Sequence, residues 1–242
     1  MSEDKSSTNG YVLHEDTFRV VIATGFYRPS ANPKTGRMIQ VWILVKSENP
    51  MAAIDSGNDA LICGDCPLRG HGCYVQVGQA PLGIWKAWTR GNYPKLPSLE
   101  VFRGHKVRFG AYGDPVFIPF VLFSAIARVS DGWTGYTHQW RNPLFAEYRG
   151  FVMASVESLN DAKLAQSAGW RTFRVVPEND VRLAANEIVC PNTTRGITCA
   201  ECRLCGGTSR QGKSIVIEAH GKGRSHFTAV QRKRHAARPA MR

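Results

Sequence analysis

The stretch Lys106-Val-Arg-Phe-Gly-Ala-Tyr112, continued by Gly113-Asp114-Pro115 and the apolar run Val116 to Ala127, decides the fold class. Its first seven residues read as a β-strand, and Gly113-Asp114-Pro115 is the exit. Asp114 can cap a following helix, Pro115 suits the first helical position, and Val116 to Ala127 fills that helix. Upstream, Phe18 to Thr24 and Met38 to Val45 are two β-rich runs separated by the turn Asn32-Pro-Lys-Thr-Gly36, which predicts an N-terminal β-ribbon. Leu82 to Arg90 has helical character and stops at Gly91. Downstream, a short strand is expected near Trp133, its end marked by Gly135-Tyr-Thr-His138. Further strands are expected at Gly150 to Val156, Trp170 to Val176, Glu187 to Val189 and Ser214 to His220, with a helix over Asn160 to Ala168. Strands that alternate with helices require parallel crossovers. The connections near 141–149 and 178–186 are too short for long helices. The expectation is an α/β chain: a partial or abbreviated parallel (β/α) barrel with an N-terminal β-ribbon and a cysteine-rich insertion.

A chain of 242 residues buries roughly 70–75% of the surface its unfolded form exposes, enough for one core. The expected organisation is a flexible polar lead (1–17), a single α/β metal-binding domain (18–221) and a basic, disordered tail (222–242). The first residues lack the basic-then-apolar build of a signal peptide. Val116 to Ala127 is too short to span a bilayer. These features predict a cytoplasmic protein without a membrane partner. The net charge of +12 is uneven, because Lys222, Arg224, Arg232, Lys233, Arg234, Arg238 and Arg242 follow Glu218 with no acid among them. Such a tail can follow nucleic acid by counterion release, or serve only as a solvated end.

All seven cysteines fall in two groups. Cys63, Cys66 and Cys73 lie in the loop Leu61-Ile-Cys-Gly-Asp-Cys-Pro-Leu-Arg-Gly-His-Gly-Cys-Tyr74; Cys190, Cys199, Cys202 and Cys205 form the second set. An odd number of clustered thiols in a reducing compartment favours metal over disulfides. Three cysteines in one Cys-x-x-Cys-x-x-Cys knuckle, with a fourth beside a proline, suit a [4Fe–4S] cluster. Zinc, the alternative, usually takes its ligands as two separated pairs. The first set offers three thiolates. Either a histidine, of which His71 is nearest, completes a closed zinc or cluster site, or one iron of a cubane stays open.

In α/β proteins ligands gather at the carboxyl ends of the strands. The candidates there are Asp114, Ser155 and Glu157 for holding a cofactor, and Tyr136, His138 and Glu157 for catalysis; Arg174 and His220 share the region. Trp140-Arg141 is a candidate for stacking on a base. For Asp114, Ser155 and Glu157, helix capping is the alternative role.

The order of motifs resembles the gene product 88 family of phages and mobile elements. The resemblance rests on Asn32-Pro-Lys-Thr-Gly36, Cys63-Gly-Asp-Cys-Pro67, Gly113-Asp114, Gly135-Tyr-Thr-His138, Ala154-Ser-Val-Glu157 and the distal cysteines. It implies a phage or plasmid origin, host-cytoplasmic location and cysteine-bound metal. More distantly, three cysteines after an early strand, then Gly113-Asp114 after the next, resemble radical S-adenosylmethionine enzymes. Their usual spacing is Cys-x3-Cys-x2-Cys, against x2 then x6 here. That likeness implies an open [4Fe–4S] cluster and S-adenosylmethionine bound by Asp114 and Glu157; action on nucleic acid or a nucleotide is suggested by the basic tail and the phage-like resemblance. The competing expectation is a non-catalytic binder of nucleic acid or a host protein, stabilised by zinc or a cluster.

Overall fold

The structure is a computed structural model that describes residues 8–70, 72–73, 75–220 and 224–236. The first five strands are β1 (Gly10–Glu15), β2 (Arg19–Thr24), β3 (Met38–Val45), β4 (Lys106–Tyr112) and β5 (Trp133–Thr134), and they form one sheet in that order. β1, β2 and β3 run antiparallel, whereas β3, β4 and β5 are parallel. The second sheet contains β6 (Tyr136–Thr137), β7 (Met153–Val156), β8 (Thr172–Val176), β9 (Glu187–Val189) and β10 (Ser214–Glu218) in the order β6-β7-β8-β10-β9, all parallel. The fold is therefore mixed α/β. Every residue of β3, β7 and β8 is buried, as expected of parallel strands covered on both faces.

Gly135 carries the chain from β5 in one sheet to β6 in the other. Its N–H donates to the Cys205 carbonyl, and its own carbonyl accepts from Met153 N–H, both at 3.0 Å. A Cβ there would stand 2.7 Å from Val152 Cγ1, so the close approach of the sheets requires glycine. β1 and β9 are the outer strands of their sheets.

The helices are α1 (Pro50–Ser56), α2 (Ala60–Cys63), α3 (Ala80–Thr89), α4 (Phe120–Val129), α5 (Leu159–Ser167), α6 (Pro191–Arg195), α7 (Cys199–Cys202) and α8 (Arg224–Ala236). Phe102, Phe109, Phe123 and Ile126 are fully buried in the larger core. A second core joins Leu68, Met153, Phe173, Ile215, Ile217 and Phe227 on one face of the second sheet.

Several expectations are corrected. The helix read over Val116 to Ala127 is interrupted: Pro115–Phe117 is a 3-10 turn, Ile118 is extended, and α4 begins at Phe120. Pro119 accounts for this, since it bars helical geometry at the residue before it and donates no hydrogen bond. The strand read from Gly150 starts only at Met153, because Pro143–Gly150 is a 3-10 helix capped by the Asn142 side chain. The lead read as flexible over 1–17 contains β1. Val12 N–H donates to Pro94 O and its carbonyl accepts from Leu96 N–H, covering the outer side of that strand. The tail read as disordered contains α8, anchored by Phe227 at 0% exposure. A single buried aromatic contributes about 2–3 kcal/mol, enough to seat an otherwise polar helix. Among the described residues no helix is long and apolar enough to cross a membrane.

Candidate metal centre

The early cysteines lie between β3 and β4. Cys63 closes α2, and Cys66 N–H turns back to donate to the Cys63 carbonyl at 3.1 Å. Three outside contacts hold this loop. Asp114 N–H donates to Ile62 O at 2.7 Å. The Arg69 guanidinium reaches Asp59 at 2.6 Å and the carbonyls of Gly57 and Gly64. Gln139 donates its amide to Cys63 O at 2.9 Å, while its Oε1 accepts from Asp65 N–H at 3.3 Å. Gly64, between these contacts, has φ +53, and a Cβ there would lie 2.6 Å from Gln139 Oε1. Gly64→Ala is therefore expected to destabilise the protein by about 1–3 kcal/mol, read as a lower urea midpoint; an unchanged midpoint would show that the loop is not clamped here.

Cys63, Cys66 and Cys73 line a cavity of about 200 Å³. Burial pushes the Cys63 thiol well up, and Cys66 and Cys73 beside it add to the rise. The Cys73 thiol is raised for the same reason, although it keeps solvent access. Raised thiols are poor free nucleophiles. Thiols crowded together and raised this way become good ligands only when a metal displaces their protons.

The late cysteines converge from two elements. Cys190 follows β9, with its N–H donating to Val216 O in β10 at 2.8 Å. Cys199 and Cys202 open and close α7, whose capping box pairs Thr198 with Glu201. Arg203 then adopts a left-handed φ of +52 that turns the chain toward Cys205. All four cysteines line a smaller cavity of about 20 Å³, together with Tyr136 and Ile197. The turn Asn32-Pro-Lys-Thr-Gly36 docks on this knuckle: Lys34 O accepts from Cys199 N–H at 2.9 Å, and Thr35 O from Ala200 N–H at 3.1 Å. Arg171 holds the return path, donating to the carbonyls of Leu204, Gly207, Arg210 and Lys213. Burial also pushes the Cys205 thiol up, against the opposing pull of the Tyr136 hydroxyl that bonds to it.

The two cysteine sets are neighbours. Cys190 and Cys199 border the large cavity as well as the small one, and Tyr136 stands in both walls. Asp114, His138 and Ser155 also line the large cavity. Asp114 is 6% exposed, and its carboxylate accepts from Val116 N–H, Thr137 Oγ1 and His138 N–H at 3.2, 3.0 and 2.8 Å. Burial raises its pKa to about 6 despite these donors. A carboxylate offers about four acceptor directions, so one is left for a ligand. Asp114 thus ties the ends of β4 and β6 together and caps the Pro115–Phe117 turn.

His138 Nε2 lies 2.8 Å from Glu157 Oε1. Burial alone would lower the imidazole, but Glu157 and the adjoining Cys66 outweigh it and raise it well above the usual histidine range. Glu157 itself does not line the cavity; it holds the ring of His138. His220 lines the cavity, and its Nδ1 stands 3.0 Å from Glu218 O. Arg174 is removed from the site: it pairs with buried Glu187 at 2.7 Å. Arg141 stacks on its neighbour Trp140 at 3.9 Å and pairs with Asp161, which occupies the surface read as a base-stacking candidate. Asn160 lies in α5, whose cap is Ser158, and His71 lies outside the described residues.

Sequence reasoning missed Gln139, Arg69, Arg171, Lys34, Arg108 and Tyr112. For the last two a signal existed: Arg108, Gly110 and Tyr112 are spaced two apart along β4, the period of one strand face, and all three line the cavity.

Among the described residues no three His, Cys, Asp or Glu side chains group closely enough to hold a single metal ion. A tetrahedral zinc would draw its sulfurs to within about 3.8 Å of one another. Here the thiols surround cavities instead of a point. The donor set that lines both cavities is rich in sulfur, the ligand type that zinc and iron–sulfur groups share. Searches against family models, curated proteins and solved structures find no match.

Proposed function

We propose that the chain is an iron–sulfur protein of the gene product 88 type, related to radical S-adenosylmethionine enzymes. One [4Fe–4S] cluster would sit on Cys63, Cys66 and Cys73 with an iron open to the large cavity, and a closed one on Cys190, Cys199, Cys202 and Cys205. The observation that carries this reading is the shared cavity: Cys63, Cys66 and Cys73, two of the late cysteines (Cys190 and Cys199), and the polar strand-end groups Asp114, His138 and Ser155 all line it. The parallel run β3, β4, β5–β6, β7, β8, β10, β9 is read as an open, partial β/α barrel with the cavity at its carboxyl ends.

When bound, an open cluster supplies a vacant iron position and an electron, the chemistry by which S-adenosylmethionine is reductively cleaved. The chain's own residues do the rest. Ser155 and the spare acceptor direction of Asp114 would receive the amino group of the cofactor. Glu157 keeps His138 oriented and charged beside Cys66, where it can donate a hydrogen bond. Tyr136 and His138 also line the cavity and would face the substrate. The apolar side chains of Leu68, Val75, Phe173 and Ile217 limit the water that reaches the site.

Electron paramagnetic resonance of the reduced, anaerobically reconstituted chain tests the open iron. Addition of S-adenosylmethionine is expected to change the cluster signal; an identical spectrum would retire the radical enzyme reading. The second reading, a non-catalytic nucleic-acid or host-protein binder, is favoured by α8, where Arg224, Arg232 and Lys233 are exposed around the Phe227 anchor. Zinc without acid-labile sulfide in the purified chain would select it.

A further inference from the structure

Three features of the large cavity are not used by the proposed cluster chemistry. Arg108 projects into it from β4, half-buried, and Lys34 from the turn docked on Cys199. Among the described residues neither side chain forms an ion pair, nor a hydrogen bond, with any acceptor within reach. Asp114, the one carboxylate among the described residues that lines the same cavity, is engaged by Val116, Thr137 and His138 and pairs with neither cation. Both cations act on the same neighbours, Cys199 and His220, so they flank one region of the wall. Two half-buried cations that line one cavity and pair with no carboxylate offer charge-assisted donors to an anion.

The third feature is Tyr112, on the same strand face as Arg108 and separated from it by Gly110. Tyr112 is 4% exposed and lines the cavity, yet its hydroxyl has no hydrogen-bond partner. A buried donor left unmade costs about 1–3 kcal/mol. Gly110 puts no side chain between the two. β4 thus presents a guanidinium, a gap and an unmet hydroxyl in a row that runs toward Cys63 and Cys73.

We propose that this row is the substrate site, and that the substrate is a small molecule with a phosphate or carboxylate held by Arg108 and Lys34 and a hydrogen-bond acceptor offered to Tyr112. The cavity as a whole measures about 200 Å³, room for roughly a dozen or more water-sized groups, so a ligand that shares it with the thiol end is a small metabolite. The inference rests on the proposed function only in taking the end near Tyr112 as the place of reaction; the anion site stands on the cations and the cavity.

The test is titration calorimetry of the full reconstituted chain with two matched pairs: ribose 5-phosphate against ribose, and succinate against succinamide. Iron and sulfide are assayed on the same samples. The wild type is expected to bind one of the anions at least about tenfold more tightly than its neutral partner, and the preferred pair tells phosphate from carboxylate. Arg108→Gln and, separately, Lys34→Gln are each expected to abolish that preference with cluster content unchanged. Tyr112→Phe is expected to weaken the preferred anion and its neutral partner alike. Equal binding within both pairs overturns the proposal, as does a preference that survives Arg108→Gln. Loss of iron in Arg108→Gln also overturns it, by making that residue a charge partner of the distal cysteines. A chain that takes up no iron yet keeps an Arg108-dependent preference supports the anion site and retires the iron–sulfur reading instead.

Discussion

Anaerobic reconstitution with iron and sulfide is expected to load about eight iron and eight acid-labile sulfide per chain, and the variant with Cys63, Cys66 and Cys73 all changed to Ala about half of that. The expectation follows from the two thiol sets: the early trio lines the large cavity and the late quartet the small one, with Cys190 and Cys199 reaching both. Because the raised thiols must lose their protons on loading, uptake should be slower at lower pH. The complementary variant, Cys199→Ala with Cys202→Ala, should also load about half but should lose more stability. Its knuckle seats the Asn32–Gly36 turn through the Cys199 and Ala200 amides, so it links the first sheet to the second. Metal analysis and thermal melting on the same samples check both expectations. Full loading after loss of the trio would contradict the assignment of a cluster to Cys63, Cys66 and Cys73.

Arg174→Met is expected to cost about 3–5 kcal/mol in stability, the largest effect of any single change outside the cysteines. Arg174 Nε and one terminal nitrogen meet the Glu187 carboxylate at 2.9 and 2.7 Å, and the other contact of that nitrogen is Arg182 O at 2.5 Å. The pair spans from β8 to β9 across β10, three residues before Cys190. Removing the guanidinium strands a carboxylate whose side chain is 0% exposed. The double variant Arg174→Met, Glu187→Leu should regain most of the loss, because an apolar pair of similar volume avoids the uncompensated charge.

The same pair predicts a direction with pH. Burial opposes the Glu187 carboxylate, but the Arg174 guanidinium and the Ala184 amide outweigh burial and hold its pKa below the ordinary glutamate value. A depressed acid contributes stability that is present above its unfolded pKa of 4.5 and is lost as pH falls through the lower folded value. Urea unfolding of wild type and Arg174→Met between pH 3 and 7 checks it. The gap between the two curves should be widest near pH 7 and narrow as pH falls, first because the stranded Glu187 of the variant takes up its proton above about 4.5, then because the wild-type pair is lost below it. Asp114 behaves in the opposite sense. Raised by burial to about 6, it costs stability as pH climbs from its unfolded value to the folded one.

Much of the scaffold was legible. β4 and β9 fall on the residues that their composition indicates, and α3 and α5 lie within about two residues of the expected positions at most ends. The turn at Asn32–Gly36 was recognisable from its residues, yet its purpose, to hold Cys199, was not. Gln139 and Arg69 were invisible because their partners lie across the fold; Gln139 reaches a carbonyl 76 residues away. Glu157 shows the reverse: the residue type was noticed, but only the structure reveals that it acts on His138 instead of facing the cavity.

The amino-acid sequence by itself determined the α/β class, the main strands and the grouping of thiols as a trio and a quartet. Those properties reside in windows of a few residues, where side-chain period and turn chemistry act. Only the tertiary structure decided that the two thiol groups border a common cavity, that Arg108, Lys34 and Tyr112 face it, and that Phe227 seats the last helix. Contacts between distant loops depend on strand order and on which surfaces can bury one another, and no short segment carries that information.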